Sequence, residues 1–186
     1  MINLFPKEDW ILIDPNPFLF KKCQDVVFPL SDDDQILVNK MVSYIDACYN
    51  QQYQQYHILP GIAIAANQVG LDKKIIYIHF NDGKEHKFLL ANPKIIANSI
   101  GKCYLKNGEG CLSVRQTIKG HVARFNKIKV QAIDMLNNNQ DTIINAESLL
   151  SICLQHEIDH LSGILFYQRI DKKKRFLDND KTYIVY

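Results

Sequence analysis

SLLSICLQHEIDHLSG, residues 148–163, decides how the rest of the chain is read. Leu149, Ile152, Cys153, His156 and His160 recur at helical spacing and share one broad face. Gly163 sits just past the pattern, where a left-handed cap is usual. The spacing predicts a helix over about 148–162. Residues i and i+4 stand one turn apart on one face, so His156 and His160 can grip a single metal ion. Glu157 is rotated by about 100° from His156. It flanks such an ion rather than ligating it, as a base acting on water would.

Two histidines do not complete a site, because a catalytic zinc-like ion takes three protein ligands. His57, His79, His86 and His121 are scattered and read as surface residues. Cys153 shares the helix face, but it lies seven residues before His160, about 10.5 Å along the axis. One ion does not reach both, so Cys153 reads as a small apolar wall residue. Cys111 is the stronger candidate, in NGEGCLSV just after Gly108 and Gly110; the alternative is a buried structural cysteine. Downstream ligands are lacking. No histidine follows His160, Phe166 stands where a metzincin protease needs its third histidine, and no glutamate follows Glu157.

Upstream, Ser31 reads as the N-cap of a helix over SDDDQILVNKMVSYIDACYN, with three aspartates in its first turn and Leu37, Met41, Tyr44, Ile45 and Cys48 on one face. Residues 50–57 are a polar stretch and Pro60-Gly61 a turn. IIYIHF (75–80) and HKFLLAN (86–92) flank a hairpin loop, KIKVQAI (127–133) alternates, and DTIIN (141–145) follows a turn at 135–140. The order helix, strands, helix predicts an α+β domain with one N-terminal helix. The whole chain, 1–186, reads as one domain, with 1–30 an extended arm and 172–186 a polar tail.

Length and composition agree with one globular domain, at 186 residues and 47% hydrophobic. A net charge of +2 is too small to argue for nucleic acid or a membrane. No apolar run approaches the ~20 residues of a membrane span or resembles a signal peptide. Five irregularly spaced cysteines then predict reduced thiols in a cytoplasmic protein.

Taken together, GIAIAANQVG (61–70), EGCLSV (109–114) and QHEIDHLSG (155–163) resemble the peptide deformylases, whose motifs are GxGxAAxQ, EGCLS and QHExDHL in that order. The likeness extends over ANPKI (91–95) and GHVARFNKIKV (120–130), and is to the longer class found in Gram-positive-type bacteria. The resemblance implies mostly antiparallel sheets around the C-terminal metal-binding helix, and removal of the formyl group from the N-terminal formylmethionine of new polypeptides, with transient ribosome contact. It implies one Fe2+ per chain, replaceable by Zn2+, Ni2+ or Co2+, on Cys111, His156 and His160. Glu157 becomes general base and then acid, and Gln68 with the backbone N–H of Leu112 stabilises the oxyanion. Gly61, Ile62, Ala63, Gly110, Ile152 and Cys153 line the substrate side, with Ile62, Ile152 and Cys153 around the methionine. Glu109 and Arg124 match positions of a supporting salt bridge. Three positions depart from relatives. Ala63 replaces the second glycine, which predicts a narrower cleft or altered φ preference. Asn67 replaces a usual proline, and Arg115 follows EGCLSV. An HExxH protease and a non-catalytic metal-stabilised module are the competing readings.

Overall fold

The computed structural model describes residues 4–178 and 182–186. Its frame is a five-stranded antiparallel sheet between two helices. Helix α1 spans Asp32–Tyr49 and helix α2 spans Ser148–Leu161. Ser31 caps α1 as expected, its Oγ accepting the Asp34 N–H at 3.1 Å. The sheet runs β1 (Ala63–Ala65), β2 (Ile75–Asn81), β3 (Glu85–Asn98), β6 (Lys127–Asp134), β7 (Gln140–Glu147). A smaller sheet joins β5 (Arg124–Phe125), β4 (Lys102–Tyr104) and β8 (Tyr183–Val185), with β8 parallel to β4.

Strand β2 is buried on both faces. Ile75 and Tyr77 of β2 pack with Met41, Tyr44 and Ile45 of α1. Ile76, Ile78 and Phe80 pack with Leu150, Cys153 and Leu154 of α2. This is why IIYIHF reads as a continuous apolar run rather than an alternating one. β3 continues to Asn98, past the expected end at residue 92, by absorbing Pro93 in a register shift against β6.

Several expectations change. The arm includes two short 3-10 turns, Glu8–Trp10 and Pro17–Phe20. The C-terminal stretch contributes β8, and its Leu177 is buried. Residues 1–3 and, within the tail, 179–181 lie outside the described residues. His79 and His121 are not surface residues; both are buried. His79 lies between Asp46 Oδ1 (2.6 Å) and Glu85 Oε1 (3.1 Å), stacked on Tyr49. His121 accepts the Leu177 N–H at its Nδ1. Asp46 and Leu177 stand far away in the chain, where local pattern carries no trace of them. Among the described residues no helix is long and apolar enough to cross a membrane.

Candidate metal centre

Helix α2 sets His156 and His160 one turn apart, with ring centroids 5.1 Å from each other. The loop from β4 to β5 brings Cys111 to them. Gly108 opens that loop at φ +79, where a Cβ would meet the Gly120 carbonyl at 2.9 Å. The Val114 N–H then donates back to the Cys111 carbonyl at 3.1 Å, a tight turn that projects the thiol. One ligand atom from each of Cys111, His156 and His160 lies within 4.8 Å of the other two. Cys111 Sγ is 3.2 Å from His160 Nε2.

His156 is oriented by a chain of buried charges. Its Nδ1 stands 2.8 Å from Glu109 Oε2, which leaves Nε2 to face Cys111. Glu109 accepts two hydrogen bonds from Arg124, at 2.8 and 2.9 Å. Arg124 reaches Asp159 of α2 at 2.5 Å, and Arg169 closes on the same carboxylate at 2.6 Å. Burial alone would raise the Glu109 carboxyl, but Arg124 and then His156 outweigh it and hold it at about 2. Burial and the neighbouring imidazolium charge of His156 push His160 below its usual range, so its ring stays neutral. A thiol and two imidazoles whose atoms converge in this way fit a divalent transition-metal ion. Among the described residues three protein groups converge, not four.

The remaining predicted residues surround a cleft of about 460 Å³. Gln68 and Glu157 face it beside Cys111 and His156. Gln68 Oε1 accepts the Ala65 N–H at 2.8 Å, which turns the amide nitrogen toward Ser113 Oγ (3.0 Å) and Cys111 Sγ (3.6 Å). Glu157 Oε2 is buried without a protein partner. Burial, opposed by His156, pushes its carboxyl up to about 7. Gly61, Ile62, Ala63 and Leu112 form one wall; Gly110, Ile152 and Cys153 line it from the other elements. Burial keeps the Cys153 thiol protonated, in keeping with an apolar wall. Ala63 does not have positive φ, so the methyl there costs no backbone strain. It is absorbed into the cluster with Cys153 and Leu154.

Two features escaped the sequence reading. Asn67, a minor departure on paper, is fully buried and donates from Nδ2 to the His160 carbonyl at 2.7 Å. It ties the first motif to a metal-ligand candidate, and an amide within the apolar run IAIAANQVG was its only signal. Replacing it by Leu should lower metal affinity about tenfold, as loss of a supporting hydrogen bond at a metal site does; competition with a chelator measures this, and unchanged affinity would refute the tie. The arm is the second feature. The Leu12 N–H donates to the Gln68 carbonyl (2.7 Å), Asp14 N–H to Ser113 (2.8 Å) and Cys23 N–H to Leu161 (2.9 Å). One strap therefore strings the three motifs together. Gly163 lets it pass: a Cβ there would collide with the Phe20 carbonyl.

Comparison with known proteins gives a consistent result. The profile of the Polypeptide deformylase family matches residues 8–176. Peptide deformylase from Malacoplasma penetrans is 47% identical over 171 residues, 91% of each chain. That from Ureaplasma parvum is 47% identical over 178 residues, 94% of this chain and 88% of the other. A crystal structure of peptide deformylase from Ehrlichia chaffeensis in complex with actinonin superposes with a TM-score of 0.69 at 33% identity. It covers 89% of this chain and 90% of that one.

Proposed function

The chain belongs to the polypeptide deformylase family, an enzyme family that removes the N-formyl group from new polypeptides, and from that premise we propose how its residues divide the work. Cys111, His156 and His160 hold one Fe2+, with Zn2+, Ni2+ or Co2+ able to replace it. When bound, such an ion lowers the pKa of water and polarises a carbonyl. Glu157 Oε2 takes a proton from the water that adds to the formyl carbon. A buried carboxyl pushed up to about 7 is poised both to take up a proton and to give it back near neutral pH. Negative charge then develops on the formyl oxygen, where Gln68 Nε2 and the Leu112 N–H donate. One such donor is worth about 2.7–4 kcal/mol. Glu157 delivers the proton to the leaving nitrogen, the C–N bond breaks, and formate and a free amino terminus result. Ile62, Ile152 and Cys153 surround the methionine side chain, and Gly61, Ala63 and Gly110 let the peptide backbone approach. The substrate emerges from the ribosome, so the reading includes a transient contact there.

The observation that carries this reading is the convergence of a Cys–His–His set, an unpartnered buried glutamate and an oriented glutamine amide in one cleft. A protease of the HExxH kind would take its third ligand downstream of His160, and a closed structural site would need neither Glu157 nor Gln68. The test is formate release from a formyl-Met-Ala-Ser peptide by protein purified without oxygen and loaded with Fe2+. Cys111→Ala is expected to abolish turnover and to drop metal content from one ion per chain to near zero. Full metal occupancy in that variant would remove Cys111 from the ligand set.

A further inference from the structure

The cleft rim at Leu59–Ile62 is held by residues outside all three motifs. Leu59 is gripped through its backbone on both sides. Its N–H donates to Glu8 Oε2 at 3.1 Å. Its carbonyl lies 3.2 Å from the Tyr44 hydroxyl and 3.6 Å from the Cys48 thiol. The Tyr44 hydroxyl also stands 3.1 Å from the same Glu8 oxygen, so its single proton serves either acceptor. The other oxygen of Glu8 pairs with Arg115, four residues after Cys111. One carboxylate from the arm therefore joins the rim, helix α1 and the loop that carries the candidate cysteine ligand.

The rim is part of the cleft wall. Leu59, Pro60, Gly61 and Ile62 all line it, and Leu59 and Ile62 are each 41% exposed. The rim also packs on the loop: a Cβ at Gly61 would meet the Leu112 side chain at 3.0–3.2 Å. Further along, the Ile62 carbonyl is held by the His79 N–H at 2.9 Å, and Ile58 N–H by the Tyr53 carbonyl at 3.0 Å. Between those two anchors the segment has no regular structure, and Leu59 is where the arm reaches it.

We propose that Glu8 is a positioning residue for the substrate: through Leu59 and Arg115 it holds the rim against the Cys111 loop, so that the cleft wall is formed before the peptide enters. This rests on the deformylase reading, which makes the cleft the peptide site. Glu8 touches no group assigned to the chemistry. Releasing the rim therefore weakens binding of the peptide in ground and transition states alike, which raises KM and leaves kcat. A residue that served only to keep the protein folded would lower the active fraction, and with it the apparent kcat, at constant KM.

The experiment compares wild type, Glu8→Ala and Glu8→Gln as full-length, metal-loaded proteins. It measures kcat and KM for formyl-Met-Ala-Ser, and amide hydrogen exchange at Leu59 by NMR on the zinc-loaded form. For Glu8→Ala we expect KM to rise about five- to tenfold with kcat within about twofold of wild type. Exchange at Leu59 should quicken at least ~10-fold, the scale of losing a hydrogen bond to a charged acceptor. Glu8→Gln keeps an acceptor oxygen for the Leu59 N–H but turns an amide NH2 toward Arg115, so it should recover most of the Leu59 protection and only part of the loss in KM. The proposal is overturned by unchanged exchange at Leu59, by a freed Leu59 with unchanged KM, or by a fall in kcat alone. If wild type released no formate, the deformylase reading would fall, and Leu59 exchange alone would then decide whether Glu8 holds the rim.

Discussion

Glu157→Gln should leave the metal bound and lower kcat for formate release by about three orders of magnitude, within the 10²–10⁴ range of a positioned acid–base group. The substitution suits the question because the amide has the shape of the carboxylate. The glutamate is 4% exposed where the largely buried helix α2 meets the cleft, so a smaller residue would leave a cavity and confuse folding with chemistry. Glutamine can still donate or accept hydrogen bonds in the cleft, but it cannot take a proton from water. Oε2 has no protein partner, so no internal bond is broken by the change. His156 is oriented by Glu109, not by Glu157, so the ligand set should stay as it is. Metal content by mass spectrometry and kcat at saturating peptide are the two readings. Turnover within tenfold of wild type would take Glu157 out of the proton transfer. Loss of metal would mean that it supports the ligands instead.

Local pattern made the elements legible, and distance in the chain decided what was not. Both helices are visible because their apolar residues repeat within one segment and their ends carry Ser31 and Gly163. The five-stranded sheet is largely visible for the same reason. The short strands β1, β4, β5 and β8 have two or three residues each and no period to detect. His79 and His121 looked like surface residues because the carboxylate and backbone groups that satisfy them come from other elements. The candidate site splits along the same line. Its ligand pair was open to geometry, since a helix fixes where i and i+4 point. Cys111 stood out as a candidate by its turn glycines, but only the resemblance chose ligand over structural cysteine, because 45 residues separate it from His156 and nothing local measures that gap. Asn67, Glu8 and the strap formed by the arm lay beyond both routes. Their role exists only once distant segments have been brought together.

Arg124→Met is the second substitution with a large expected effect, this time on stability. Arg124 is 4% exposed and stands between two buried carboxylates. Taking one partner from a buried ion pair leaves an uncompensated charge, at a cost of about 3–5 kcal/mol. Methionine matches the length of the stem and keeps its packing, so the loss falls on the charges. It falls unequally. Asp159 retains Arg169, at 2.6 and 3.1 Å, on a side open to solvent. Glu109 has only His156 left, and its other oxygen is stranded in the interior. At roughly 2–4 °C per kcal/mol for a chain of this size, the melting temperature of the metal-free protein should fall by about 10 °C. Metal affinity should fall as well, about 10- to 100-fold, because Glu109 then orients His156 less firmly. The double change Glu109→Gln with Arg124→Met separates the two effects. Removing both charges takes away the stranded carboxylate, so much of the lost stability should return while metal affinity stays low. If the double variant is no more stable than Arg124→Met, the cost lies in packing rather than in an unpaired charge. If instead metal affinity is unchanged in Arg124→Met, the brace holds the fold together without tuning the ligands.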